Sequence, residues 1–353
     1  MKHQDIIFTN SVGEELERIL AEFGDKVYVI CDDNTKTCVL PLIASASPRV
    51  ASARVISTPP GDENKNIRSL SMIWEGLQNG GADRHSVIIN IGGGVITDMG
   101  GFAAATFKRG VRFINLPTTL LSAVDAAVGG KTGINFNGFK NEVGVFKEAD
   151  AVVISTRFFD TLPLDEVKSG YAEMIKHGLL EGNSALDRLL DYKLNELDVT
   201  RLLSLLEESV NVKRRVVEQD PFEKGIRKAL NLGHTVGHAL ESLALERKNP
   251  IPHGYAVAWG CVVELVLSHM ILEFPSAILH RVAAFVRDNY GAPAIECRDY
   301  PKLLEYMRHD KKNSGGRINF TLLSAPGKIE IDRYPADEEI LTAMDIFRDL
   351  MGI

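Results

Sequence analysis

Short aliphatic runs alternate with segments of helical periodicity over the first half of the chain. Buried strands are predicted at residues 26–33, 53–60, 86–94, 111–117 and 150–156, and helices at residues 67–80 and 96–107. Strands that are apolar along their whole length, with helices between them, are typical of a mostly parallel sheet that helices cover. We therefore predict an α/β domain over residues 1–157.

The pattern changes after Pro163, where long segments with a period near that of the α-helix take over. Helices are predicted at residues 165–180, 200–219, 254–270 and 276–290, and a short hairpin at residues 317–331. A chain of 353 residues is also long for a single core, so two domains are expected. We predict that residues 158–353 form a mainly α-helical domain.

Composition narrows the class of protein. The chain is 45% hydrophobic and 25% charged with a net charge of −7, which is typical of a soluble globular protein and argues against a general nucleic-acid binder. The four cysteines form no C-x-x-C pair, the N-terminus has no apolar signal segment, and Glu264 and His269 interrupt the most apolar stretch, residues 256–272. We expect reduced thiols, a buried helix rather than a membrane span, and a cytoplasmic enzyme.

The segment LNLGHTVGHALE carries the first candidate for chemistry. His234 and His238 are four residues apart in a predicted helix, so both imidazoles lie on one face and can reach one point. Imidazole is a frequent zinc ligand, and Glu173, His177 and His253 offer further ligands from other segments. A histidine pair at this spacing is also common in packed helices without a metal. The residues alone leave the choice of ligands open.

A predicted strand runs directly into Gly92, Gly93 and Gly94 and then into a helix. Glycines at such a junction let a ligand approach the backbone, and the helix N-terminus offers unpaired amides to a phosphate. The G-x-G-x-x-G fingerprint is incomplete because Thr97 occupies the third glycine position, so an ordinary strand-to-helix turn is the alternative. Asp32 ends an earlier strand and is a candidate for either a ribose contact or a helix N-cap.

A second glycine-rich segment, residues 124–146, contains Lys131, Lys140 and Asn141. It is not a Walker P-loop, because Asp125 stands where that motif requires a glycine. Paired glycines followed by lysines and an asparagine still suit an oxyanion site, with a solvated loop as the alternative.

Basic residues recur beside the candidate metal ligands. Lys176 follows Glu173 by three residues, Arg227 and Asn231 shortly precede the histidine pair, and Lys213 lies on the preceding predicted helix. A single surface cation is usually only solvated. Their recurrence next to a metal motif indicates a metal pocket that also binds an anion.

These segments together resemble the 3-dehydroquinate synthases, of the sugar-phosphate cyclase group. The matching strings run from residue 92 to residue 312 and are GGGVITDMGGFAAATFKRG, LPTTLLSAVDAAVGGKTGINFNGFKN, SGYAEMIKHGLL, LNLGHTVGHALE, HGYAVAWG and MRHDKK. The resemblance implies a dehydroquinate synthase-like fold, in which a Rossmann-like nucleotide-binding α/β domain (residues 1–157) that binds NAD precedes a mainly α-helical domain (residues 158–353) that binds the metal and the substrate. The metal-dependent glycerol-type dehydrogenases share this two-domain layout. It also implies a homodimer.

The implied reaction converts 3-deoxy-arabino-heptulosonate 7-phosphate to 3-dehydroquinate and phosphate, a step of the shikimate pathway. It proceeds by a transient NAD-mediated oxidation, phosphate elimination, re-reduction and an intramolecular aldol cyclisation, so that net redox change is zero. Three alternatives are a cyclase that acts on glucose 6-phosphate or sedoheptulose 7-phosphate, a metal-dependent polyol dehydrogenase, and a zinc-stabilised binding protein. The residues that would bind a substrate carboxylate favour 3-dehydroquinate synthase over another cyclase. An open three-ligand site favours a catalytic metal over a structural one.

The resemblance also implies roles for individual residues. Zn²⁺, or Co²⁺, would be bound by Glu173, His234 and His253. NAD would be bound by Asp32, Asn34, Asp62, Lys65, Gly92, Gly93, Asp98, Thr118, Thr119, Asp125, Lys140, Phe158 and Thr161. Asp62 departs from the family, which has a glutamate there. The substrate phosphate would be held by Lys131, Asn141, His238 and, from across the dimer, Arg109. The substrate's carboxylate end would be held by Lys213, Arg227 and Asn231, with Lys176 beside the metal. One lysine of the DKK string would also contact the substrate, and Lys311 is favoured over the alternative, Lys312.

Overall fold

The structure, a computed structural model, describes residues 4–309 and 317–353. They separate into two compact units. The first comprises the chain up to Pro163 together with Asp198–Val210, and the second comprises Leu164–Leu197 and Asn211–Ile353. The chain therefore returns briefly to the first unit after it has entered the second.

The first unit is built on a six-stranded sheet, in which all paired strands are parallel, and a separate hairpin. The strands are β1 Asp5–Phe8, β2 Val27–Asp32, β3 Arg54–Thr58, β4 Val87–Gly92, β5 Arg112–Pro117, β6 Lys131–Phe136, β7 Phe139–Phe146 and β8 Ala151–Ile154. The helices are α1 Val12–Leu20, α2 Asp33–Cys38, α3 Leu40–Ala44, α4 Pro48–Ala51, α5 Ile67–Asn79 and α6 Gly94–Thr106.

The sheet order is β1-β8-β5-β4-β2-β3, and β6 and β7 form the antiparallel hairpin. Every residue of β4 is buried, as a strand covered by helices requires. The five predicted strands and both predicted helices of this half are confirmed, and so is the α/β fold class. The hairpin and β1 were not predicted, because a glycine-rich segment and a four-residue strand carry little periodic signal.

The second unit is mainly helical. Its helices are α7 Leu164–Glu181, α8 Asn183–Leu190, α9 Val199–Gln219, α10 His234–Glu246, α11 His253–Leu272, α12 Ser276–Tyr290, α13 Tyr300–Arg308 and α14 Asp337–Met351. The first part of α9 belongs to the first unit. The predicted hairpin is confirmed as β9 Phe320–Ala325 and β10 Lys328–Arg333, which pair antiparallel.

Helix α11 forms the core of this unit. It contacts α7, α10, α12, α14 and β9, and most of its residues are buried. Its length and composition would suffice to cross a membrane, but 72% of its most apolar window is buried inside the protein. That burial is the behaviour of a core helix, as the sequence predicted, and it places the first residue of α11, His253, beside α7 and α10.

Candidate active site

Three elements of the second unit each contribute one potential metal ligand. Glu173 lies in the middle of α7, while His234 and His253 are the first residues of α10 and α11. Nε2 of His234 is 3.4 Å and Nε2 of His253 is 3.6 Å from Oε1 of Glu173. One donor atom from each residue lies within 4.8 Å of the others. We call Glu173, His234 and His253 the ligand cluster.

The environment of Glu173 fits a bound divalent cation. Its side chain is fully buried, and no hydrogen bond from the described residues reaches either carboxylate oxygen, although Lys176 forms an ion pair with Oε2. A buried carboxylate without hydrogen bonds is costly unless cations compensate it. Burial alone would raise the pKa of Glu173, but Lys176 and His234 hold it well below its usual value. The carboxylate is therefore ionised and available.

His234 is prepared to act as a neutral ligand. Burial and the charge of Lys176 lower the pKa of His234 to about 4. Its Nδ1 lies 3.1 Å from the carbonyl oxygen of Leu232, so a proton on Nδ1 leaves Nε2 directed towards Glu173. A backbone carbonyl on the second nitrogen is a common support for a metal-bound histidine.

His253 has a carboxylate on its second nitrogen. Its Nδ1 lies 3.0 Å from Oε2 of Glu241. Burial opposes the charged imidazole, but interactions with Glu173 and Glu241 together raise the pKa of His253 to about 10. The sequence analysis missed Glu241, although it stands seven residues after His234 and therefore on the same face of α10.

His238 lies next to the ligand cluster. Its ring centroid is 5.3 Å from that of His234 and 6.0 Å from that of His253. Within the described residues it shares a second possible ligand group with Glu241 and His253, whereas the buried His177 belongs to neither group. Sequence spacing alone could not rank His177, His234 and His238 as metal ligands, and their positions in the structure distinguish them.

Three predicted anion-binding cations are buried in this unit. Lys176, Lys213 and Arg227 are only 1%, 6% and 3% exposed, and burial of this degree is rare for charged side chains. Arg227 donates to the carbonyl of Pro221 at 2.6 Å. Asn231 donates to Oε1 of Glu223 at 2.9 Å.

Arg227 and Asn231 lie on the 3-10 turn Ile226–Asn231, which contacts α7 and leads into α10. The sequence analysis did not identify Glu223, because nothing in its spacing connects it with the site. Lys311 lies outside the described residues.

In the first unit, the predicted nucleotide residues gather at the carboxyl edge of the sheet. Asp32 ends β2, Gly92 ends β4, and Thr118 and Thr119 follow β5. The chain continues from β2 to β3 on one side and then to β4 on the other side of β2, so the strand order reverses there. Open α/β sheets bind their ligands at such a switch point.

The turn from β4 into α6 is tight and lacks side chains. An added Cβ at Gly92 would approach Cβ of Ile96 to 2.5 Å, so only glycine fits there. Gly93 is the N-cap of α6 and provides no side-chain cap. The first amides of α6 can therefore meet a phosphate, as the sequence analysis anticipated.

Asp32 is the N-cap of α2. Its Oδ1 accepts hydrogen bonds from the amide of Thr35 at 2.8 Å and from the hydroxyl of Thr35 at 3.1 Å. The helix-cap alternative is thus observed, and a ribose contact by the same carboxylate stays a prediction.

Lys65 connects residues that were predicted for two different ligands. Its buried ammonium is 2.5 Å from Oδ2 of Asp98 and 2.5 Å from Oδ1 of Asn141. Asn141 lies on β7 with a positive φ of 52°. The β6–β7 hairpin is also attached to the segment of Lys65 through Asn135, whose backbone N–H donates to the backbone carbonyl of Lys65 at 2.8 Å.

The other predicted residues of this unit lie on short elements. Asn34 is in α2, Asp62 in the 3-10 turn Asp62–Asn64, Asp125 in the π-helical turn Ser122–Ala126, and Phe158 and Thr161 in the 3-10 turn Thr156–Thr161. Lys140 lies 3.8 Å from Asp62, Lys131 is the exposed first residue of β6, and Arg109 is exposed with a φ of 66°.

An α/β unit whose parallel sheet has a switch point and a helical unit with a carboxylate–histidine cluster define a class of two-domain proteins. Family models place the chain within it. Residues 55–169 match the 3-dehydroquinate synthase N-terminal model, and residues 170–313 match the 3-dehydroquinate synthase C-terminal model. The chain belongs to the 3-dehydroquinate synthase family.

The similarity to individual relatives extends over nearly the full length of the chain. The chain is 48% identical to the 3-dehydroquinate synthase of Parabacteroides distasonis, covering 100% of both chains. It is 35% identical to the 3-dehydroquinate synthase of Streptococcus pyogenes, covering 98% of this chain and 96% of the relative. The chain is accordingly an enzyme that forms 3-dehydroquinate.

Solved structures share the fold. A 2-epi-5-epi-valiolone synthase from Streptomyces hygroscopicus, with NAD⁺ and Zn²⁺ bound, has a TM-score of 0.87 at 20% identity and covers 99% of this chain and 98% of its own. A 2-deoxy-scyllo-inosose synthase, complexed with carbaglucose-6-phosphate, NAD⁺ and Co²⁺, has a TM-score of 0.83 at 24% identity and covers 98% and 96%.

Proposed function

We propose that this enzyme is a phosphate-eliminating carbon–oxygen lyase that depends on NAD and on a divalent metal ion. The single observation that carries the proposal is the ligand cluster. In it, the fully buried carboxylate of Glu173, which is ion-paired with Lys176 but accepts no hydrogen bond within the described part of the chain, faces two imidazole nitrogens. Three N/O ligands leave positions open for substrate oxygens, which favours a catalytic over a structural metal site.

Glu173, His234 and His253 would bind the metal, with Zn²⁺ as the first choice and Co²⁺ as the second. The structural relatives with Zn²⁺ and with Co²⁺ support this choice. When bound, such an ion supplies Lewis-acid stabilisation of a developing oxyanion. The low pKa of Glu173 and the neutral His234 keep two of the three ligands in the metal-binding protonation state at neutral pH.

The switch point of the first unit would bind NAD, which supplies reversible hydride acceptance when bound. The first amides of α6 and the side chains of Thr118 and Thr119 would face the pyrophosphate, and Asp32 would accept from a ribose hydroxyl. Lys65 would be oriented by its contacts to Asp98 and Asn141. The remaining proposed NAD contacts are Asn34, Asp62, Gly92, Gly93, Asp125, Lys140, Phe158 and Thr161.

The substrate would be a phosphorylated sugar acid, and the basic residues would divide between its two charged ends. Lys131 would neutralise charge on the phosphate, and Asn141 and His238 would orient it while it accepts the proton released during elimination. Lys213, Arg227 and Asn231 would bind the carboxylate, with Lys311 as a further contact. Lys176 would stabilise negative charge beside Glu173.

We further propose a cytoplasmic homodimer. Strand β7 is exposed along its whole length, and Phe139, Val143, Val145 and Phe146 are all at least 38% exposed. An apolar strand of this kind pairs with another chain unless it is protected. A second copy of the chain would cover this strand. Arg109, which is exposed, would reach the substrate phosphate bound in the site of the partner subunit.

The test measures inorganic phosphate released from 3-deoxy-arabino-heptulosonate 7-phosphate with NAD and Zn²⁺, and follows NADH absorbance in the same cuvette. We expect phosphate release without net NADH and its loss on chelation. Glucose 6-phosphate and sedoheptulose 7-phosphate are the control substrates and should release none. Steady accumulation of NADH would indicate a dehydrogenase and overturn the proposal.

A further inference from the structure

Helices α10 and α11 are related by a reciprocal arrangement of histidine and carboxylate. Each helix begins with a histidine of the ligand cluster, His234 in α10 and His253 in α11. Each also carries a glutamate that contacts the first turn of the other helix: Glu241 of α10 contacts His253, and Glu264 of α11 contacts the first turn around His234. Neither Glu241 nor Glu264 belongs to the ligand cluster.

Glu241 acts directly on its histidine. Its Oε2 lies 3.0 Å from Nδ1 of His253, while Nε2 of the same ring is directed towards Glu173. A carboxylate on the nitrogen that does not bind metal selects the tautomer and restricts rotation of the ring. Glu241 is therefore placed to hold Nε2 of His253 in its ligating orientation.

Glu264 acts through the backbone. Its oxygens accept from the amides of Gly233 at 2.6 Å, Thr235 at 3.2 Å and Val236 at 3.4 Å, which bracket His234 in the chain. The first amides of a helix have no intrahelical partner and carry a partial positive charge, so a carboxylate is a strong cap for them. This cap holds backbone amides that precede and follow His234 in the chain.

The local backbone leaves α10 without a side-chain cap of its own. The N-cap residue of α10 is Gly233, which has a φ of 79° and no side chain to accept a hydrogen bond. An added Cβ there would lie 2.8 Å from the carbonyl oxygen of Val257, which is on α11. The two helices therefore approach so closely that only glycine fits, and Glu264 takes the place of the missing cap.

Burial of Glu264 argues against a purely packing role, because a buried carboxylate carries a desolvation cost. It is fully buried in the most apolar helix of the protein, where an aliphatic side chain would pack without a desolvation penalty. The three amides around His234 compensate part of the cost of burying this carboxylate, and so its presence affects the backbone that carries His234.

We propose that Glu241 and Glu264 are positioning residues that preorganise His253 and His234 for the metal before it binds. The inference rests on the proposed metal site and deepens it. Because each glutamate sits on the helix that carries the other histidine, a shift of either helix disturbs both ligands. Carboxylates that support metal-bound histidines typically change metal affinity by about 10–100-fold when they are replaced.

The test compares Zn²⁺ affinity of the metal-free full-length variants Glu241→Gln and Glu264→Gln by competition with a chelating dye. We expect each variant to bind Zn²⁺ about 10-fold or more weakly. The visible absorption bands of the Co²⁺-loaded protein, which report ligand geometry, should shift in both. The matched control is Glu17→Gln, which alters a carboxylate that accepts from the amide of Arg49 in the first unit, and it should leave affinity and spectrum unchanged.

The outcomes separate this inference from the metal site itself. Wild-type affinity and an unshifted Co²⁺ spectrum in both variants would overturn the positioning role. If His234→Ala had lost Zn²⁺ binding in the same experiment, the assignment of the metal site would still stand. Wild-type affinity in His234→Ala would instead remove the metal site. If Glu264→Gln does not fold, Glu241→Gln, whose side chain is partly exposed, still gives a decisive measurement.

Discussion

The ammonium of Lys176 forms an ion pair with Oε2 of Glu173, one turn earlier on the same helix, and both side chains are essentially buried. This pair places a permanent positive charge beside the carboxylate that we propose as a metal ligand. The same charge helps to lower the pKa of His234 to about 4, after the effect of burial. Lys176 therefore keeps two ligands ready for the metal and also competes with it for Glu173.

Replacing Lys176 with methionine should separate these two effects. Removal of one partner of a buried ion pair should lower the free energy of unfolding of the metal-free protein by about 3 kcal/mol. Zn²⁺ affinity should stay the same or rise, because a competing cation is gone, while turnover falls. Denaturant unfolding of the metal-free protein and dye competition measure the two quantities. Lys193→Met, at an exposed lysine, should change neither, and a large loss of Zn²⁺ affinity in Lys176→Met would contradict the competition.

Glu173→Gln and His234→Ala should each abolish Zn²⁺ binding and reduce phosphate release roughly 10³-fold or more, because the substrate oxyanion loses its stabilisation. NAD binding, followed by calorimetry, should persist because the proposed NAD residues lie in the first unit. The control is His177→Gln, which changes a buried histidine of α7 outside both ligand groups and should keep Zn²⁺. Near-normal turnover of either ligand variant in metal-free buffer would refute the assignment.

Lys131→Ala should slow phosphate release by roughly 10²-fold or more, because a cation that neutralises the leaving phosphate is lost. Folding should be unaffected, since Lys131 is exposed at the start of β6. Phosphate release and thermal unfolding are measured on the same preparation. Lys147→Ala, another exposed lysine just beyond β7, is the matched control. Kinetics equal to those of the control would exclude Lys131 from the site.

Gly233→Ala should destabilise the protein by about 3 kcal/mol and weaken Zn²⁺ binding. Alanine at position 233 would have to adopt a left-handed backbone conformation, and its methyl group would clash with α11. Relief of this clash would displace the neighbouring His234. Gly352 provides the control, because its φ of 78° is nearly the same but no atom lies within 4 Å of an added Cβ. Gly352→Ala should cost about 1 kcal/mol and leave Zn²⁺ affinity unchanged. Equal effects of both substitutions on Zn²⁺ affinity would show that the contact with α11 is unimportant.

Much of the fold could be predicted because its elements carry their own periodic signal. Strand β4 is buried throughout and apolar except at Asn90, and α12 keeps its apolar positions on one face, so each was found with its type and nearly its bounds. The β6–β7 hairpin was not found, because its glycines and exposed residues give neither period. Its position depends on contacts from distant residues, such as that between Lys65 and Asn141.

The sequence by itself determined the chemistry that is available: a histidine pair one turn apart, a glycine-rich strand-to-helix turn, recurring basic residues, and strings specific enough to identify the family. Local spacing expresses these features, because residues four apart share a helix face in any protein.

Only the tertiary structure decided which of these groups converge. The packing of α7, α10 and α11 brings His234 and His253 to Glu173, puts His238 beside them, and leaves His177 out of the described ligand groups. It also brings Glu241 and Glu264 to the first turns of the opposite helices. Contacts between residues that are far apart in the chain follow from helix packing, and a linear pattern does not contain that information.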